Sequence, residues 1–448
     1  MTKLKMKIGF NIGTVIAAAV LLRLILFVII QPWNLEFETH QLFYYDPQEY
    51  HELAKAMLGW DFLDNTIRTP GYPVFIAFFY WIFGVNLPLV YAVQLMLSVF
   101  SVFMTYKIAR MFFGEKTSLV AGSLLALDPH LILFSFNLLS EALFIPVILV
   151  MTYYLIKYYQ TETLKYLLIA TVFMAASAYI RPVTLYLAPA MLPLYLILGK
   201  GSWKQKLKSW GLMTALFFVL LSPWYMRNYV KFDSWSFCTT GGYNILYVYA
   251  ASIDYANRDG GTMDEVWSSI GGKVDSISGG PGANPFTVEK AQRDIGLEMI
   301  KKDPVTLIQN HFIGVFNIFF SISSYRISKL LGIEEVQLTG SYYGETNVSK
   351  IGSFIKEKGV FSIFLTVAFM ILFVVEYSTA ILGAIVLAKE KNYVLLFTSL
   401  FLLVYLLGLT GLFGFQARFK LPLMPYYLLF SAYGMFTIKE WYIRRKTA

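Results

Sequence analysis

Six ionisable residues in this 448-residue chain sit where carboxylates and guanidiniums can act on one ligand: Asp46, Arg68, Glu141, Arg181, Arg227 and Arg418. Each lies beside an apolar run. Asp46 falls in YYDPQEYHEL, Arg68 in RTPGYP, Glu141 in LLSEALF, Arg181 in AYIRP, Arg227 in SPWYMRNY and Arg418 in GFQARFKLPLMP. Ionisable groups at membrane depth cost a few kcal/mol even on lenient scales, so they face a bundle interior or an aqueous cavity. Arginine matches phosphate oxygens bidentately and stays charged in a partly apolar site. A positioned carboxylate takes the proton of a poor nucleophile such as a hydroxyl. The set therefore suits an anionic ligand with a reaction beside it. Asp46 and Glu141 are the candidate catalytic acids, and Arg68, Arg227, Arg418 and Arg181 are the candidate anion holders.

Plainer roles stand beside these. Asp46 is placed as an N-cap, with Pro47 at the first helical position and Glu49 completing a capping box, and capping does not exclude a second role. Behind it Tyr50, Leu53, Ala54, Met57 and Leu58 form one apolar stripe of a surface helix. Arg181 and Arg227 are also placed as snorkelling anchors at helix ends. Glu141 starts a span, where the helix dipole alone would retain it. Arg23 lies about 12 Å below the end of the first span at 1.5 Å per residue, and both snorkelling and cavity lining are open to it. The histidines (His40, His51, His130, His311) make no ligand spacing and Cys238 is the single cysteine, so neither a disulfide framework nor a metal set is legible.

The elements that must position these residues are membrane helices. Hydrophobic residues make up 57% of the chain and charged ones only 15%, against roughly 25% charged in soluble domains. Spans are expected near 9–31, 87–109, 117–134, 137–159, 164–181, 183–199, 209–226, 361–388, 393–412 and 420–438, about ten in all. The first is too long for a signal peptide and lacks a small-residue cleavage site, so it is expected to be retained. With Lys3, Lys5 and Lys7 inside, each alternate loop holds basic residues: Lys107/Arg110/Lys116, Lys157/Lys165, Lys200/Lys204/Lys206/Lys208, Lys389/Lys391 and Lys439/Arg444/Arg445/Lys446. This positive-inside pattern accounts for the net charge of +9 without nucleic acid. It places both termini in the cytoplasm. It also places segments 74–83 and 305–322 in the interface rather than across, although counting them gives up to twelve spans.

Three regions result: an N-terminal membrane module, 1–227, with its outer loop at 32–86; an outer-face region of loops and interfacial helices, 228–360; and C-terminal membrane helices, 361–448. The Gly-, Ser- and Asn-rich stretch 239–284 is expected to be loop with little core of its own. Thr287 to Lys302 reads as a helix ended by Asp303-Pro304. Segment 340–358 is polar and reads as mobile.

The order of elements resembles the GT-C class of lipid-linked-sugar glycosyltransferases, especially the protein mannosyltransferase and aminoarabinose transferase relatives. The matching pieces are Asp46-Pro47 after the first span, the RTPGYP turn, LLSE, SPWYMRNYVKF followed by TTGGYN, KKDPVTLIQNHF and ARFKLPLMP. The resemblance implies an all-α polytopic fold with Asp46 as catalytic base. It also implies a polyprenyl phosphate held by Arg68, Arg227 and Arg418. Position 68 departs from the aminoarabinose transferases, which favour a lysine in a K-P-P turn. Some members bind a divalent metal ion; no cofactor is otherwise implied.

The expected activity is transfer of a sugar from a polyprenyl-phosphate-linked donor to a lipid, glycan or protein acceptor. It would take place at the extracytoplasmic face of the cell membrane, with inversion. The rival is a lipid-linked saccharide flippase or other transporter, which should carry interrupted or charged spans near the midplane.

Overall fold

The computed structural model describes residues 11–31, 45–59, 64–258, 260–321, 360–413 and 416–447. Lys3, Lys5, Lys7 and segment 340–358 lie outside these. Among the described residues every regular element is helical. The chain runs α1 (Ile12–Ile30), α2 (Tyr45–Leu58), α3 (Gly71–Phe83), α4 (Leu87–Ala109), α5 (Glu115–Leu127), α6 (Pro129–Phe134), α7 (Glu141–Thr161) and α8 (Leu164–Ile180). Short α9 (Leu187–Ala190) and α10 (Leu192–Leu198) lead into long α11 (Trp203–Phe232). There follow α12 (Thr240–Tyr243), a π-helical stretch (Asn244–Ala250), α13 (Ala251–Ala256), α14 (Met263–Ser278), α15 (Pro285–Lys302) and α16 (Pro304–Phe320). Helices α17 (Val360–Lys389) and α18 (Tyr393–Thr410), a 3-10 segment (Ala417–Leu423) and α19 (Met424–Thr447) complete it.

Among the described residues seven helices are long and apolar enough to cross a membrane, so this is a multi-pass helical membrane protein. Three of the expected spans differ in form. The 117–134 segment splits at Asp128, whose ψ of 122° is extended because Pro129 follows it. Asp128 then caps α6 by accepting from the amides of His130 and Leu131. The 164–181 segment is the 17-residue α8. The 183–199 segment breaks into α9, α10 and a preceding turn, since Pro182, Pro189 and Pro193 each remove an amide donor. The doubtful segments are helices of 13 and 17 residues, α3 and α16.

The expectation for 239–284 is corrected. This stretch is largely helical and has a core of its own, in which Leu246, Val248, Ala250, Met263, Val266, Ile270 and Val274 are buried. Its glycines masked a helical spacing: Met263, Val266, Ile270 and Val274 form one face of α14, started by a Thr262–Glu265 capping box. The main core joins α1–α11 to α17–α19.

Arg23 neither snorkels nor lines a cavity. It is fully buried, donating from Nε to Ser98 Oγ (3.0 Å) and from Nη1 to the carbonyl of Ala126 (3.1 Å), which ties α1 to α4 and α5. A buried cation is tolerated there because oxygen acceptors replace its water.

Candidate active site

The turn that carries Arg68 is built by Asn65. Its side-chain oxygen accepts from the amides of Ile67 and Arg68, and its Nδ2 donates to the Arg68 carbonyl at 2.7 Å. The TTGGYN segment clamps this turn from outside. Thr239 donates its amide to the Thr66 carbonyl at 2.9 Å, and Thr240 Oγ1 donates to that of Ile67 at 2.6 Å. Beyond the turn, Thr69 Oγ1 bonds the Ile180 carbonyl at 3.0 Å. Gly71 packs so tightly that an added Cβ would sit 2.7 Å from the Tyr179 carbonyl. The glycine of RTPGYP thus serves close approach to the end of α8. The 65–72 segment is fixed on both sides, and the guanidinium of Arg68 is aimed back at α2.

There it meets a continuous chain of charges. Arg68 donates from Nε to Glu49 Oε2 at 2.7 Å and from Nη2 to Asp46 Oδ1 at 2.5 Å. The other oxygen of Asp46 accepts from Arg418 Nη1 at 2.6 Å. Arg418 Nε lies 3.8 Å from Glu141 Oε1, which also faces Arg181 Nη1 at 2.5 Å. Arg181 donates to Ser140 Oγ at 3.2 Å. Three acids alternate with three arginines, and Asp46 is at the centre with both oxygens taken. Residues from α2, the 65–68 turn, α7, the end of α8 and the 3-10 segment thereby converge. Aromatic faces back the cations: Arg68 lies 5.2 Å from the Tyr50 ring centre, and Arg418 and Arg181 lie 5.3 and 5.6 Å from that of Phe419.

The electrostatics follow from this geometry. Burial alone would raise the Asp46 carboxyl, but the Arg418 and Arg68 guanidiniums outweigh it and hold the group well below the usual carboxylate range. Asp46 keeps 18% of its side chain exposed, whereas Glu141 keeps 2%. Asp46 is the more reachable acid of the two.

Two expectations for this segment are corrected. Asp46 lies inside the first turn of α2, which begins at Tyr45, and not at the N-cap. Glu49 does not close a capping box but pairs with Arg68. A guanidinium is a stronger partner for a carboxylate than a neutral amide, so the arginines take both groups. Sequence reasoning thus missed Glu49 as a member of the charge network, together with Ser140, Asn65 and Phe419. The signal for Glu49 was its place one turn after Asp46.

Arg227 sits apart from the chain of charges. Its Nη2 donates to the Asn65 carbonyl at 3.0 Å, on the turn that carries Arg68, and its guanidinium lies 4.6 Å from the Trp224 ring centre. His51 packs against Tyr80, Nδ1 to Oη at 2.8 Å. Among the described residues no group of three or more His, Cys, Asp or Glu is arranged to hold a metal ion. The acids at Asp46 already carry guanidiniums, so this donor set does not fit a divalent cation. An open pocket of about 400 Å³ between α13 and α16, lined by Tyr255, Asn257, Thr306 and Gln309 among others, shares no residue with the charge network.

The family model of dolichyl-phosphate-mannose-protein mannosyltransferase matches residues 67–226, from the Arg68 turn to the residue before Arg227. The oligosaccharyltransferase of Archaeoglobus fulgidus, in its apo form, superposes with a TM-score of 0.54 at 15% identity, over 98% of this chain and 52% of that one. This chain has the GT-C fold. A second structure from that organism, the oligosaccharyltransferase AglB in complex with an inhibitory peptide and a dolichol-phosphate, gives 0.51 at 13% identity over 97% and 51%. ArnT from Cupriavidus metallidurans, bound to undecaprenyl phosphate, gives 0.39 at 13% identity over 95% and 77%. The chain spans about half the length of the oligosaccharyltransferases it matches. No curated protein matches the sequence.

Proposed function

We propose that the chain is a membrane glycosyltransferase that moves a sugar from a polyprenyl-phosphate donor to an acceptor hydroxyl at the extracytoplasmic face. The observation that carries this reading is the placing of Asp46 between Arg68 and Arg418, each able to turn from carboxylate to phosphate. The acceptor oxygen attacks the anomeric carbon from the side opposite the phosphate, with inversion. The carbon–oxygen bond to the phosphate breaks and its electron pair leaves with the phosphate. Arg68 and Arg418, with Arg181 behind, take up that charge. The acceptor's proton passes to Asp46.

One consequence follows from the saturated network. While both arginines sit on Asp46 its carboxyl is a weak base, because its pKa is depressed. A phosphate that draws the arginines away removes the cause of that depression. Donor binding therefore raises the basicity of Asp46 at the step that needs it. Glu141 remains the alternative base, and Arg227 acts on the phosphate by supporting the 65–68 turn.

In this reading residues 1–227 form the catalytic membrane module, 228–360 cover the acceptor side, and 361–448 complete the bundle and bring Arg418. The flippase reading gains one observation, a set of charged groups buried in the bundle (Arg23, Asp128, Glu376 and Lys420). Arg23 is locked into helix packing and Lys420 against an aromatic ring, which suits anchors better than a transport path.

The test is sugar transfer from a synthetic polyprenyl-phosphate donor by the full chain, with Asp46→Asn and Glu141→Gln compared. Loss confined to Glu141→Gln would move the base to that residue. Orientation is read separately. Ile277 on α14 is exposed, so Ile277→Cys in a Cys238→Ser background should react with an impermeant maleimide from outside. Protection there would overturn the assigned face.

A further inference from the structure

The 3-10 segment Ala417–Leu423 carries two cations, two residues apart, and only one belongs to the site. Arg418 joins the Asp46 network. Lys420 points elsewhere, since residues two apart in a 3-10 helix project about 120° from each other. Its side chain is fully buried, with Nζ 3.7 Å from the ring centre of Phe373 on α17 and 3.5 Å from the carbonyl of Phe319 on α16. Tyr377, one turn beyond Phe373, donates to that same carbonyl at 2.7 Å. Two buried acids, Asp128 at the α5–α6 break and Glu376 on α17, stand close enough to bear on Lys420 electrostatically. Glu376 Oε2 has no hydrogen-bond partner.

A lysine in such a place is costly by itself, and in a low-dielectric interior the attraction of two carboxylates reaches well beyond contact distance. Moving the 3-10 segment would pull Lys420 off its ring and away from both acids, while moving Arg418 off Asp46. The two cations therefore report on one backbone position. A merely structural lysine would be replaceable by any arrangement that restores charge balance. One that aims Arg418 would not.

Resting on the proposed phosphate-holding role of Arg418, we infer that Lys420 is a positioning residue. Anchored among Phe373, Asp128 and Glu376, it fixes the 3-10 segment and sets where the Arg418 guanidinium meets the lipid phosphate. Neither acid touches substrate in this account.

The test uses the full chain in nanodiscs and measures undecaprenyl phosphate binding, donor KM, kcat and melting temperature. The variants are Lys420→Met, Lys420→Met with Glu376→Gln, Lys420→Arg, Arg418→Ala, and Arg418→Ala with Lys420→Met. Misplacing a positioned group by about 1 Å can cost roughly a hundredfold, so Lys420→Met is expected to weaken lipid-phosphate binding about ten- to a hundredfold. Removing the charge of Glu376 as well should recover melting temperature and leave binding weak. Lys420→Arg, which keeps the cation, should recover part of the binding. Adding Lys420→Met to Arg418→Ala should cost no further affinity, because the first acts through the second.

Parental binding in the Lys420→Met/Glu376→Gln protein, with Arg418→Ala still weakened, overturns the inference alone. So does additive loss in the Arg418/Lys420 double variant. Parental binding in Arg418→Ala removes the phosphate-holding role itself, and this inference with it. If Lys420→Met does not fold, the charge-balanced double variant and Lys420→Arg carry the decision.

Discussion

The charge network around Asp46 and the buried set around Lys420 both combine acids with cations and hold them differently. In the first, each acid is in direct contact with a guanidinium, and Arg68 and Arg418 each face two acids. Such cations have more than one partner and can turn from an acid to a phosphate. In the second, Lys420 rests on a ring and one carbonyl, and its carboxylates act from beyond contact distance. There the cation has nowhere to turn. The difference separates a place where charge can be exchanged with a ligand from a place where it fixes the backbone.

The largest effect that would sharpen this contrast is on turnover. Asp46→Asn removes the group that accepts the proton, and sugar transfer should fall by roughly 10²–10⁴-fold. Near-normal turnover in a folded Asp46→Asn protein would place the base elsewhere. Next comes the phosphate. Losing a charge-assisted contact costs about 1.5–3 kcal/mol, so Arg418→Ala should weaken donor binding about ten- to a hundredfold. Equal affinity in Arg418→Ala and the parent would reduce the network to a structural tie.

Arg227→Ala should weaken donor binding by less, since Arg227 bonds the carbonyl of Asn65 and stands outside the chain of charges. A loss as large as that of Arg418→Ala would extend the phosphate site to α11.

The smallest effect is on stability against pH. The folded Asp46 carboxyl lies below its ordinary value, so its contribution is fully present above the unfolded pKa of about 3.9 and fades as pH falls from there toward the folded pKa. Thermal melts should show the gap between the parent and Asp46→Asn at full size near neutral pH and narrower below about pH 4. A gap that widens in acid would mean that the carboxyl is not held ionised.

How far the sequence already carried this picture differs between the two regions. Asp46, Arg68, Glu141, Arg181 and Arg418 each stood beside an apolar run in a distinctive local context, so their common location could be read from hydropathy and charge alone. Which acid meets which arginine could not, because a capping box and an ion pair use the same Asp-x-x-Glu spacing at Asp46 and Glu49. Only the turn built by Asn65 decides between them. Glu376 went unread because it is a lone charge in an apolar run, and Lys420 because it stands two residues from Arg418 while the groups it packs against lie on other helices. The helices of 239–284 were hidden for a different reason. Glycine reads as a loop signal, yet Gly242 is needed for close packing against Glu289 and Gly279 ends α14 in the left-handed region.

The central claim is that the carboxylate of Asp46 and the phosphate of the donor share Arg68 and Arg418. The most direct measurement is undecaprenyl phosphate binding to Asp46→Asn and to the parent, by titration in nanodiscs at neutral pH. With its competing charge gone, Asp46→Asn should bind the lipid phosphate more tightly than the parent while transferring almost no sugar. Weaker binding in Asp46→Asn would mean that the carboxylate helps to hold the phosphate, and the proposed exchange of partners would be wrong.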